Sequence, residues 1–160
     1  MNQVDKLEAL RGSPLVAELA DDELRALADQ MGVTILSDGD TLVSEGDASR
    51  TLFVLAVGAL NVSQIVREHE EVIYQMRVGE CAGTRSFVDG SARKAWLRAA
   101  GGSIVLTLEP DAFEALGKSH PMLLYRVMRA LFRITHTNLT RANHESIQLR
   151  NYLLKSGGPY

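Results

Sequence analysis

The stretch Gly79–Ala99, GECAGTRSFVDGSARKAWLRA, carries residue types that can bind an anion. Gly83 permits a tight turn, and if a short helix starts there the N–H groups of Thr84, Arg85 and Ser86 face one point. Ten residues on, Arg93 enters an apolar strand-like run, from which its guanidinium can reach the same point and grip a phosphate through two parallel hydrogen bonds. On this stretch alone a plain structural turn is the simpler reading, because glycine turns beside arginines are common. Cys81, two residues before the turn, reads as a packing residue in preference to a redox sensor.

Other chemistry has no visible carrier. His69, His120, His136 and His144 share no ligand spacing with one another or with Cys81, so no metal site is expected. There is no Gly-x-Ser-x-Gly elbow, no His-Glu-x-x-His and no Gly-Lys-Ser/Thr phosphate loop, so no catalytic residue is named and no enzyme is expected.

The elements around Gly83 and Arg93 read as follows. The first thirty residues suggest two short helices, with Leu7 and Leu10 three apart and Asp21 as N-cap of a segment carrying Leu24, Leu27, Ala28 and Met31. From Val33 to Leu108 seven short β-branched and aliphatic runs (VTIL, TLVS, TLFVLAV, ALNVSQIV, EVIYQMRV, KAWLRA, SIVLTL) are separated by Gly, Asp and Ser. Strands at this spacing, joined without helices, predict a mainly β domain, an antiparallel jelly-roll barrel. Pro110 then opens a helix ending near Gly117, and Pro121 opens a long amphipathic helix reaching Arg141. A further helical segment, SIQLRNYLLK, places Leu149, Tyr152 and Leu153 on one face. The division is N-terminal helices 1–32, barrel 33–109 and C-terminal helices 110–155, all one structural domain.

With 160 residues, 46% hydrophobic and 23% charged, the chain suits one domain with a real core. Its longest apolar run, Leu52–Leu60, is far short of the roughly 20 residues that span a bilayer. A lone cysteine and a start without a basic and apolar leader point to the cytoplasm. Net charge is -3, but residues 118–155 hold seven Lys or Arg and one Glu, a basic arm on an acidic body. Within that arm Arg126, Arg129 and Arg133 fit either an acidic partner, nucleic acid or membrane surface, or the protein's own acidic N-terminal helices; the last is preferred.

Glu45, Gly46 and Asp47, Leu52 and Phe53, Gly58, Gly79 and Glu80, Gly83, and the run Arg93, Ala95, Trp96, Leu97, Arg98 and Ala99 occur in an order and spacing that resemble the cyclic nucleotide-binding domain. This is the sensor module of the catabolite activator protein, cyclic nucleotide-dependent kinases and gated channels. The likeness covers about residues 10–142. It implies an eight-stranded jelly roll flanked by helices, with the ligand phosphate on a short helix after a Phe-Gly-Glu-like turn. By that resemblance the ligand site is Gly83, Thr84, Arg85, Ser86, Arg93 and Lys94, and the ligand is cyclic AMP or cyclic GMP, with no cofactor. Arg93 takes the phosphate, Glu80 serves the loop, and Thr84 stands where the family's ribose-binding glutamate does. Lys94 replaces a small hydroxyl residue, and either adds charge to the phosphate or turns to solvent.

A neutral hydrogen bond from Thr84 contributes about 1 kcal/mol where a charged one contributes roughly 1.5 to 3, so a tenfold loss of affinity is in reach. The expected function is a stand-alone regulatory module: 19 residues follow Arg141, too few for the DNA-reading domain of bacterial regulators. Its signal would pass through the C-terminal helices to a protein partner or across a homodimer formed on the long helix, with Leu149, Tyr152 and Leu153 as a lid. The alternative is a degenerate module that no longer binds nucleotide and serves as an interaction or dimerisation scaffold.

Overall fold

Residues 5–156 are described by the computed structural model, and they begin with helices whose ends their own side chains close. In α1 (Lys6–Arg11) the Asp5 carboxylate accepts a hydrogen bond from the Glu8 amide at 3.3 Å. A 3₁₀ turn at Pro14–Val16 leads to α2 (Asp21–Gln30), which Ala20 and not Asp21 caps. Alanine has no side chain to offer there; Glu23 compensates by reaching back to accept the Ala20 amide at 3.0 Å. Leu24, Leu27 and Ala28 are buried against Leu10 and Leu15, the face that their spacing marked.

Eight strands follow: β1 (Gly32–Leu36), β2 (Thr41–Val43), β3 (Leu52–Val57), β4 (Leu60–Val66), β5 (His69–Met76), β6 (Cys81–Ala82), β7 (Trp96–Ala99) and β8 (Ser103–Leu108). They form two four-stranded antiparallel sheets, ordered β1-β8-β3-β6 and β2-β7-β4-β5. The strand beyond the seven read from sequence is β6, two residues paired with Phe53 and Val54 and too short to show a period. β7 starts at Trp96, two residues later than expected, so alternation along a strand does not govern Arg93 and Lys94.

β3 is buried on both faces, which is why LFVLAV reads as continuous apolar sequence. Leu52 and Val54 join a core shared with α1, α2 and the C-terminal helices, whereas Phe53 and Leu55 join a second core inside the barrel with Leu36, Leu60, Leu97 and Val105. Between β6 and β7 the chain forms α3 (Thr84–Asp89), whose Phe87 ring packs on Phe113 of α4 (Pro110–Ala115) at 5.3 Å between centroids.

Pro121 opens α5 as expected, but α5 (Pro121–Ser156) is a single helix of 36 residues. The expected break after Arg141 is absent because no Gly or Pro interrupts residues 142–155, so nothing ends the helix there. Leu123, Val127, Ala130 and Leu131 dock in the core, while every residue from 135 to 155 is exposed. Among the described residues no helix is long and apolar enough to cross a membrane.

Candidate functional site

The site is assembled around Gly83, the N-cap of α3, whose backbone takes φ +79°. Only glycine adopts that conformation without strain, and a Cβ there would also stand 2.4 Å from Arg93 Nη1 and 2.8 Å from the Thr51 carbonyl. The glycine thus shapes the turn and makes room for the guanidinium. As in any helix, the first N–H groups of α3 have no intrahelical acceptor, while Phe87 is already bonded back to the Gly83 carbonyl at 3.0 Å. The far end of α3 is closed by Gly90, also left-handed, and by Arg50, which donates to the Ser86 and Phe87 carbonyls at 3.3 and 3.2 Å.

Arg93 is held from outside the strand ladder. Its carbonyl accepts the Gly46 amide at 2.8 Å and its amide donates to the Asp47 carbonyl at 3.0 Å, so the SEGD turn fixes its backbone. The side chain is 5% exposed. Nη2 donates to the Thr51 carbonyl at 2.7 Å, Nη1 to the Gly83 carbonyl at 3.4 Å, and the guanidinium lies 5.4 Å from the centre of the Phe53 ring. Ser49 Oγ accepts from Nε and Nη2, each at 3.4 Å. Among the described residues no carboxylate comes within ion-pair distance of it. Burial lowers its pKa, and the charges of Asp47 and Glu109 oppose that shift, but an arginine stays protonated regardless. The result is a buried positive charge compensated by neutral oxygens and an aromatic face, a setting that favours an incoming anion.

A cavity of about 730 Å³ opens beside this charge, and Gly83, Thr84, Arg85, Ser86, Arg93 and Lys94 all line it. Ser86 is buried, Thr84 half-buried, and Arg85 exposed and paired with Asp89 at 3.6 Å. Lys94 is exposed and also borders the cavity. Glu80 works in the loop: Oε2 accepts the Arg77 amide at 3.0 Å and Oε1 accepts the Tyr74 hydroxyl at 2.6 Å. That bond, with burial second, raises the pKa of Tyr74. Cys81 faces apolar neighbours and Ser13, and burial pushes its thiol up to about 11, so it is protonated at neutral pH.

Leu149, Tyr152 and Leu153 do not line the cavity. Because α5 is unbroken they are carried past the barrel, Leu149 roughly 16 Å along the axis beyond Asn138. The cavity wall comes instead from the middle of α5, where Ala130, Arg133, Ile134, Thr137, Asn138 and Arg141 face it. Sequence reading missed this wall, and it missed Ser49, Arg50 and Tyr74, which come from segments with no motif of their own. Arg126, Arg129 and Arg133 pair with the acidic N-terminal region, Arg126 with Glu23, and Arg129 and Arg133 with Glu18 at 3.6 and 2.7 Å. Among the described residues no group of His, Cys, Asp and Glu is placed to hold a metal ion.

A glycine-started helix, a buried arginine and a jelly roll together define a class, and the chain belongs to the cyclic nucleotide-binding domain family, whose model matches residues 33–120. It is 30% identical over 88 residues to cGMP-dependent protein kinase 2 of Homo sapiens, a match covering 54% of this chain and 12% of the kinase. In structure it is similar to a cyclic nucleotide-binding domain from Methylobacillus flagellatus (TM-score 0.78, 24% identity, 91% of this chain and 82% of that one). It is also similar to the catabolite activator protein of Thermus thermophilus (TM-score 0.74, 23% identity, 86% of this chain and 63% of that one). The chain therefore spans only a small part of the kinase it matches.

Proposed function

We propose that the chain is a regulatory module that binds a cyclic mononucleotide, cyclic AMP or cyclic GMP, with the phosphate on the Gly83 turn and Arg93. The observation that carries this reading is the Arg93 guanidinium, buried at the cavity without a carboxylate partner. A ligand phosphate would supply the missing negative charge. Ligand entry would be read out by α5, whose middle turns form one wall of the same cavity. On the exposed side of α5, Tyr125, Phe132 and Leu139 recur every seven residues, with Met128 three residues after the first and Leu149 twenty-one after Met128. That is the register of a two-helix seam, and a second copy of this chain is the occupant we assign to it.

Calorimetric titration of the chain with each nucleotide tests the reading. Micromolar or tighter binding is expected, with Arg93→Ala weakening it by about 2–5 kcal/mol, some thirtyfold or more. Equal binding by wild type and Arg93→Ala would sink the assignment. Thr84 supports a second reading, an interaction scaffold without a nucleotide, because no carboxylate stands at the ribose position by the family resemblance. Folded wild-type protein that takes up neither nucleotide at millimolar concentration would establish that reading instead.

A further inference from the structure

We propose that Tyr74 is a positioning residue that ties the phosphate loop to the far half of α5, so that a displacement of either is felt by the other. The inference rests on the nucleotide reading for what drives it, but the tie itself is a property of the free chain. Its parts are drawn from three elements that meet at the cavity: Tyr74 on β5, Glu80 in the loop before Gly83, and Arg141 on α5.

The Tyr74 hydroxyl has one proton, and it is given to Glu80 Oε1 at 2.6 Å. Glu80 is itself anchored in the loop, with Oε2 accepting the Arg77 amide at 3.0 Å and its carbonyl accepting the Leu55 amide at 3.1 Å. On the other side the Arg141 guanidinium lies over the Tyr74 ring at 4.6 Å from its centre, with Nη1 3.5 Å from the hydroxyl oxygen. Among the described residues no carboxylate lies within ion-pair distance of Arg141. Its hold is therefore the ring face and a hydroxyl whose proton points to Glu80.

The position of Arg141 gives this arrangement its consequence. It lies seven residues beyond Ile134, the last partly buried residue of the docked stripe, on a stretch of α5 that is exposed throughout. The helix there has no core contact to locate it, and Arg141 reaches back to the barrel across the cavity wall. When the loop shifts Glu80, the Tyr74 hydroxyl must follow or lose its acceptor, and the seat of Arg141 changes with it. Conversely, a change in the lean of α5 alters the charge next to the hydroxyl and so the bond that holds Glu80. Linkage requires the two effects to be equal as free energies.

Hydrogen exchange on the full free chain tests this. Glu80→Gln, which keeps an acceptor but removes the charge, is expected to speed exchange of the amides of residues 138–144 at least twofold, although it lies off the helix. In the Tyr74→Phe background, which keeps the ring and deletes the hydroxyl, adding Glu80→Gln is expected to change those amides no further. Unchanged exchange at 138–144 in Glu80→Gln, or an undiminished effect in the Tyr74→Phe background, overturns the proposal. Adding cyclic AMP or cyclic GMP to wild type is a separate arm. Failure to protect amides 83–86 would refute the nucleotide reading while leaving the free-chain comparison to decide the tie.

Discussion

The two halves of α5 are built from similar residues and meet different fates. From Pro121 to Ile134 the helix lays Leu123, Val127 and Leu131 into a core with α1, α2 and β3, and its arginines reach Glu18 and Glu23. From 135 onward Leu139, Ile147, Leu149 and Leu154 stand in solvent on the same continuous helix. The contrast shows that helical periodicity announces a face that needs cover without saying what covers it. The docked half is covered by the chain itself; the projecting half is long enough to be covered by another molecule.

The difference between the halves can be tested in order of expected effect. Leu123→Ala should cost about 2–5 kcal/mol in urea unfolding, because it empties a fully buried site in the helix-side core. A loss below about 1 kcal/mol would mean that the docked half is not part of the core. Acid should act next, through Glu18, whose carboxyl is held below the usual range by its hydrogen bond from Arg133 and by the charges of Arg129, Arg133 and Arg126, against some desolvation. Since its folded pKa is depressed, the stabilisation is present above the ordinary carboxylate pKa and is lost as pH falls through the lowered value. Unfolding midpoints followed from pH 6 to pH 3 should therefore fall more steeply in wild type than in Glu18→Gln; parallel curves would dismiss these ion pairs as anchors. Leu149→Ala should change monomer stability least, by about 0.5 kcal/mol or less. In sedimentation at micromolar concentration the same substitution should shift the chain toward monomer, and an unchanged distribution would remove the seam on α5.

Much of the barrel was legible because its strands are short apolar and β-branched runs separated by Gly, Asp and Ser, local signals that need no partner to be read. Gly83 and Arg93 were legible for a similar reason, being ten residues apart in one segment. What escaped was built from distant pieces. Arg50 closes α3 from 36 residues away and Ser49 meets Arg93 from 44 away, and neither carries a pattern. β6 is two residues long and owes its existence to β3 beside it. The length of α5 escaped because the polar run Ala142–Ser146 resembles a linker, yet it contains nothing that stops a helix. The same unbroken run is what keeps Leu149, Tyr152 and Leu153 out of the cavity lining.

β3 has a consequence for how this domain tolerates change. Phe53, beneath the Arg93 guanidinium, and Val54, in the helix-side core, are neighbours in sequence and lie on opposite faces of one strand. The barrel-interior core and the seat of the helices are thus separated by a wall one residue thick. A single-residue insertion in β3 would exchange the two sides at once, turning barrel-interior side chains toward the helices and the helix seat inward. Length in this strand is under tighter constraint than composition: Val54 can trade for another aliphatic residue, but the count between Leu52 and Leu55 cannot change.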